Sequence, residues 1–304
     1  MKKYVIPVLL VLIFILSSCS FRDAGSDGTV TLNEPETDPI VTSAVTETLP
    51  ETEPASSTEL PTDPPATETE PPEETDTVSQ ETDPPAPAGE YRPKAMMYHL
   101  IMETPYNDLE ALFVRPSDFD SQLRYLTDNG YGFMFADEWQ IADRPTVILT
   151  FDDGYVDNYT DMFPILKKYG AKATVFLITD LIGTSGYLSE EQIREMASSG
   201  LVSFQSHTVS HPDLSYQTEA TLRYQFSESV RIIEGLTGRT VRALAYPAGS
   251  FNDLVLSVAS DYFSFCYTTK SPYSVKDYSP YTIPRYYIAR DMTDAQFSSV
   301  IAYN

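Results

Sequence analysis

Two stretches of this chain set acid–base and metal-ligating side chains directly beside apolar runs. In "VILTFDDGY", Val147 to Tyr155, an apolar and β-branched run ends in two adjacent carboxylates, Asp152 and Asp153. Like charges at the mouth of an apolar strand repel each other and resist desolvation, so something must compensate them. In "SHTVSHPDL", His207 and His211 stand four residues apart, directly after the run "LVSFQS". On one turn of helix, or in a helix-like loop, that spacing brings both imidazoles to one side. Two imidazoles and one carboxylate form a common Zn²⁺ site with open positions. A cation bound to one carboxylate relieves its repulsion for the neighbour, which is then free to stay ionised and act as a base. Taken singly, "DDG" is an ordinary turn and H-x₃-H an ordinary polar loop. Together, each at the end of its own buried run, they point to a metal site with a free carboxylate base beside it.

The elements that must position these residues alternate along the chain. Strand-like runs are "KAMMYH" (94–99), "GFMF" (132–135), "TVILTF" (146–151), "ATVFLI" (173–178), "LVSFQS" (201–206), "RALAY" (242–246), "FSFCYTT" (263–269) and "YTIPRYYI" (281–288). Helical patterns lie between them. "PSDFDSQLRYLTDNG" has Ser117 as the expected cap and ends at Gly130. "LSEEQIREMASSG" starts at Ser189 with Glu190 and Glu191 in its first turn. "YQTEATLRYQFSESVRIIEGLTG" is a longer amphipathic stretch with Gly235 and Gly238 near its end. Repeated strand–helix units predict an α/β fold: a parallel sheet, open or closed into a barrel, with helices outside. In such folds chemistry sits at the carboxyl ends of strands. Asp152, Asp153, His207 and His211 all fall there.

"TFDDGY" followed by "SHTVSH" resembles the two leading motifs of the polysaccharide deacetylase family, carbohydrate esterases with the NodB homology domain. "AYPAGSFND", Ala245 to Asp253, resembles the family's "YPYG-x-x-ND" segment, and "AMMYH" the "MYH" entry of its poly-N-acetylglucosamine deacetylase subgroup. The similarity spans about residues 94–290. It implies a distorted (β/α)₇ barrel. It also implies Asp152 as general base, and Asp153, His207 and His211 as ligands of a divalent metal, Zn²⁺ first, with Co²⁺ or Ni²⁺ as substitutes. Tyr246 matches the residue whose backbone N–H binds the oxyanion. The implied reaction is hydrolysis of N-acetyl groups on an N-acetylglucosamine polysaccharide, such as an exopolysaccharide or peptidoglycan. An O-acetyl glycan esterase, or a glycan-binding module that has lost catalysis, are the alternatives. The chain departs from the family pattern in three places. Its one tryptophan, Trp139, precedes the first motif, and no histidine follows His211. The imidazole left for a general acid is His99, in the "MYH" setting. The arginine that pairs with the catalytic Asp is Arg285, in "TIPRYY", or Arg242, with Arg285 the better match. Ala248 stands where an aromatic is common.

Composition divides the 304 residues into three. Residues 1–18 read as a secretory signal, with Lys2 and Lys3 ahead of the apolar run Val5 to Leu16. "LSSC" resembles the lipobox of bacterial lipoproteins, which implies a lipidated Cys19 and an extracytoplasmic, membrane-anchored protein at the cell surface or wall. Residues 19–90 hold 18 acidic residues and one basic, Arg22, among Pro and Thr. Such a segment buries too little apolar surface to offset chain entropy and is expected to be a disordered, extended linker. Residues 91–304, with 26 acidic and 17 basic residues, are long enough for one core and are expected to be a monomeric deacetylase domain. The absence of a basic patch argues against nucleic acid as a partner. Cys266 reads as a small buried hydrophobe.

Overall fold

The computed structural model describes residues 91–104, 112–275 and 277–303. The signal sequence, Cys19 and the acidic linker expected over 1–90 lie outside the described residues.

Among the described residues ten strands occur in chain order: β1 Lys94–Tyr98, β2 Leu100–Ile101, β3 Phe113–Val114, β4 Gly132–Phe133, β5 Thr146–Phe151, β6 Ala173–Leu177, β7 Val202–Ser206, β8 Ala243–Ala245, β9 Phe265–Tyr267 and β10 Tyr286–Tyr287. Six α-helices accompany them: α1 Pro116–Asp128, α2 Phe163–Tyr169, α3 Glu190–Ser198, α4 Glu219–Thr237, α5 Asp253–Ala259 and α6 Asp294–Ile301. The main sheet runs β10-β1-β5-β6-β7-β8-β9, with β4 added to the start of β5, and every pairing in it is parallel. Helices on one face and side chains on the other bury its central strands completely, which is why "TVILTF" is apolar almost without interruption.

The segment before and through β10 joins the two ends of this curled sheet. Ile283 bridges to Tyr267 at the end of β9, while Tyr286 and Tyr287 pair with Met96 and Met97 of β1. Seven strands on one path, closed by this short segment, make the distorted barrel expected from the sequence. β2 and β3 form a separate pair that no periodicity in the sequence announced.

Strand alternation sorts the core into two clusters. Met96, Leu149, Phe151, Val175 and Phe204 pack with helix residues such as Phe119, Met196 and Phe226. Ala95, Ile148, Phe176, Ala243, Ala245, Tyr267 and Ile283 pack on the other, inner face. Counting by twos from these inner residues reaches His99, Asp152 and Arg285. Period two alone therefore sends those three side chains to the barrel interior at its carboxyl end.

Helix ends follow local chemistry. Ser189 and Gln192 form a reciprocal capping box on α3, as the motif suggested. At α1 the expected cap, Ser117, lies inside the helix. Arg115 is the N-cap without a side-chain bond, and Pro116 takes the first helical position, where its missing N–H costs nothing. Gly238, left-handed, closes α4, and Gly235 lies within that helix. Cys266 is a buried free thiol.

Candidate active site

The turn after β5 separates the two carboxylates. Asp153 has φ 74° and Gly154 φ 80°, so two successive left-handed residues swing the neighbouring side chains apart. Asp tolerates that region better than most residues. At position 154 the φ of 80° is one that L side chains rarely adopt, and a methyl there would also press on Leu177 Cδ2 at 2.6 Å, so Gly suits the turn.

Asp152, 2% exposed, points inward to a fully buried Arg285. The pair is bidentate: Nη1 donates to Oδ1 and Nη2 to Oδ2, each at 2.7 Å. The guanidinium is itself pinned. Its Nε donates to Thr268 O at 3.0 Å and Nη1 to Thr150 Oγ1 at 3.0 Å, while that hydroxyl donates to Met96 O at 2.6 Å. Burial by itself pushes Asp152 up, but the Arg285 charge and hydrogen bonds outweigh it and hold the carboxyl well below its ordinary range. Of the two arginines considered from sequence, it is Arg285 that reaches Asp152; Arg242 is exposed and lies over the Phe265 ring.

Asp153 points instead toward the loop after β7. Its Oδ1 lies 3.4 Å from His207 Nε2 and 3.9 Å from His211 Nε2. The three residues offer ligand atoms within 4.8 Å of one another. The loop is not the helical turn that the spacing suggested. Thr208 and His211 both have positive φ, and Thr208 Oγ1 accepts the His211 N–H at 3.0 Å. Gln225 of α4 steadies the intervening residues by accepting the N–H groups of Val209 and Ser210. His207 Nδ1 lies 2.7 Å from Ala245 O. A carbonyl only accepts, so Nδ1 carries the proton and Nε2 presents its lone pair to Asp153. Burial pushes Asp153 up to about 6 and His207 down to about 3, and lowers His211 as well. Two neutral imidazoles, that of His207 with its tautomer fixed, beside one carboxylate are the donor set that a divalent cation such as Zn²⁺ takes, and these residues fit one.

His99 sits just past β1 with Nε2 3.9 Å from Asp152 Oδ2 and its side chain 14% exposed. The fold thus brings Asp152, Asp153, His99, His207, His211 and Arg285 to one end of the barrel. Tyr246 is the exception among the expected site residues. Its N–H donates to Tyr267 O at 3.0 Å, extending the β8–β9 pairing, and its buried hydroxyl donates to Tyr281 O. It has no N–H left for an oxyanion. Two residues on, Ala248 is exposed, has φ 51°, and makes no N–H hydrogen bond among the described residues. Reading "YPAG" against "YPYG" places the aromatic position at Ala248, and that register was the signal for this donor.

The family profile described as polysaccharide deacetylase matches residues 140–262. The Bacillus subtilis protein YxkH, whose name assigns it to the polysaccharide deacetylases, is 32% identical over 214 residues, covering 68% of this chain and 75% of its own. This chain belongs to the polysaccharide deacetylase family. It is therefore a hydrolase, and its reaction is glycan deacetylation. A poly-beta-1,6-N-acetyl-D-glucosamine N-deacetylase of Staphylococcus epidermidis is 27% identical, over 65% of this chain and 79% of that one. Among solved structures, the Streptococcus pyogenes deacetylase PplD in complex with acetate superposes with a TM-score of 0.64 at 29% identity, covering 70% of this chain and 99% of that one.

Proposed function

We propose that this chain hydrolyses the N-acetyl groups of an N-acetylglucosamine polymer in a divalent-metal-dependent reaction, releasing acetate and leaving a free amine. The observation that carries this reading is the division of labour between adjacent carboxylates: Asp152 is held ionised by Arg285, and Asp153 is turned toward two imidazoles, one of them, His207, with its tautomer fixed by the Ala245 carbonyl. The name of the Staphylococcus epidermidis relative supports an amide substrate.

Asp153, His207 and His211 would hold the cation. A cation held there would supply Lewis-acid chemistry, lowering the pKa of a water and polarising a carbonyl oxygen. Asp152, ionised and adjacent, takes the proton from the attacking water. Arg285 keeps that carboxylate charged and aimed. The Ala248 N–H donates to the oxyanion that develops on the acetyl group; a single lost donor of this kind typically costs ~10²–10³ in rate. His99 returns a proton to the leaving amine nitrogen, which an amide requires more than an ester does, because an amine leaves poorly without it.

We further propose that the enzyme works outside the cytoplasm, held at a membrane by an acylated Cys19 and set away from it by the acidic segment over 19–90. The charge and composition of that segment support the reading.

Acetate release is the direct assay. Oligomers of N-acetylglucosamine with β-1,4 and β-1,6 linkages, peptidoglycan and O-acetylated xylan are compared. Release from an N-acetylated polymer, lost in Asp152→Asn with metal content unchanged, is expected. Release from acetylated xylan alone would overturn the amide reading, and glycan binding with no release in the presence of Zn²⁺ would overturn catalysis.

A further inference from the structure

We propose that Asp157 and Asn158 are positioning residues that set the His99 imidazole against Asp152. The inference rests on the reading of His99 as the proton donor. β1 stops at Tyr98, whose carbonyl accepts the Asp152 N–H at 3.0 Å, and the chain then leaves the main sheet to enter β2. His99 is the hinge of that departure. The backbone groups freed there need partners, because a buried polar group without one is costly. Two side chains supply them. Asn158 Nδ2 donates to His99 O at 3.0 Å, and Asp157 Oδ2 accepts the Ile101 N–H at 2.5 Å. The same Asn158 nitrogen lies 3.2 Å from Asp157 Oδ2, so the two side chains form one clasp around residues 99–101.

The clasp satisfies two backbone groups but leaves polar atoms of its own buried. Asp157 is 3% exposed and Asn158 fully buried. Asp157 Oδ1, Asn158 Oδ1 and His99 Nδ1 are buried with no partner among the described residues. Burial drives the Asp157 carboxyl up to about 7, so the fold does little to favour its charge. The clasp also opens a π turn, Asn158–Met162, a rare geometry that tends to occur at functional sites. It is anchored by the same β5 turn that carries Asp152 and Asp153. The base, the metal ligand and the acid's backbone support therefore come from one continuous stretch, residues 152–158.

The test compares Asp157→Ala, Asn158→Ala and the milder Asp157→Asn and Asn158→Ser, each alone and in a His99→Gln background. kcat, KM and zinc content are measured on an N-acetylglucosamine oligomer. A displacement of the acid of the order of 1 Å costs ~10²-fold in rate. The expected result is a fall of that order in kcat for the two alanine variants, with KM and zinc unchanged. Asp157→Asn keeps an oxygen for the Ile101 N–H and should keep most of kcat. Asn158→Ser is too short to reach His99 O and should not. In the His99→Gln background none of the substitutions should lower kcat further. Equal fractional losses in both backgrounds, or no loss in the first, would overturn the proposal. A second readout does not involve turnover: the ¹⁵N shifts of the His99 imidazole in the resting enzyme should move in Asn158→Ser while those of His207 and His211 stay. Unmoved His99 signals defeat the positioning role. Full activity in His99→Gln defeats the acid reading instead, so the two failures are separable.

Discussion

Replacing Arg285 with Met tests the electrostatic design of the site through folding alone. The guanidinium is fully buried, and it makes four hydrogen bonds, two of them to Asp152. Met fills much of the volume but leaves a carboxylate that is 2% exposed facing no charge. Breaking a buried ion pair from one side costs about 3–5 kcal/mol, most of it the penalty of the orphaned charge. For a domain of this size that lowers Tm by ~6–20 °C. The sign with pH follows from Asp152. In the wild type its carboxyl lies below the ordinary 3.8, so the pair's stabilisation is present above that value and is lost as pH falls through the lower, folded one. In the variant burial acts unopposed, the carboxyl takes up a proton on mild acidification, and the deficit in Tm should narrow between neutral pH and about pH 4.5. The decisive arm is the double variant Asp152→Asn/Arg285→Met. Removing the orphaned charge should restore part of the loss, so the double should be more stable than Arg285→Met alone. Thermal unfolding by circular dichroism reads all four proteins. A double variant destabilised by the sum of the singles would refute the reasoning, as would an Arg285→Met protein within 2 °C of wild type, far inside the ~6–20 °C expected.

Three further outcomes follow from the geometry. His207→Ala should lose stoichiometric zinc by elemental analysis, because His207 is the ligand whose tautomer the Ala245 carbonyl fixes; retained zinc would remove it from the ligand set. Asp157→Asn should gain stability relative to wild type as pH rises: the wild-type carboxyl is pushed from 3.8 up to about 7, so its contribution is present below the former and lost through the latter. The gain between about pH 5 and pH 8 should be ~1–3 kcal/mol by urea denaturation, and a pH-independent difference would contradict it. Ala248→Gly should raise stability by ~0.5–1 kcal/mol, since Ala is held at φ 51°, and a destabilised variant would show that the loop geometry is not strained.

The sequence exposed the parts of the site that are local. "DDG" and "H-T-V-S-H" each carry their ligands within a few residues, and each follows a buried run whose end could be located. Period two then carries His99, Asp152 and Arg285 to one face once the strands are known. What depended on distant pairing was harder to read. Arg285 meets Asp152 across 133 residues, and only the closing segment explains why. The fate of the Tyr246 N–H turns on β9, whose register against β8 no pattern in "FSFCYTT" reveals. The loop at His207 looked helical by spacing, yet two left-handed residues there depend on Gln225 of α4 and on the Thr208 hydroxyl. The β2–β3 pair is two residues per strand, too short for any alternation to show.

The segment that closes the sheet is also the one that delivers Arg285, and this gives the enzyme an order of assembly. A ribosome has made Asp153, His207 and His211, the last of them 74 residues earlier, before it makes the guanidinium that faces Asp152. A chain released before residue 281 would hold Asp153, His207 and His211 yet lack the seam and the countercharge together. Completion of the wall and pairing of the Asp152 carboxylate are a single event.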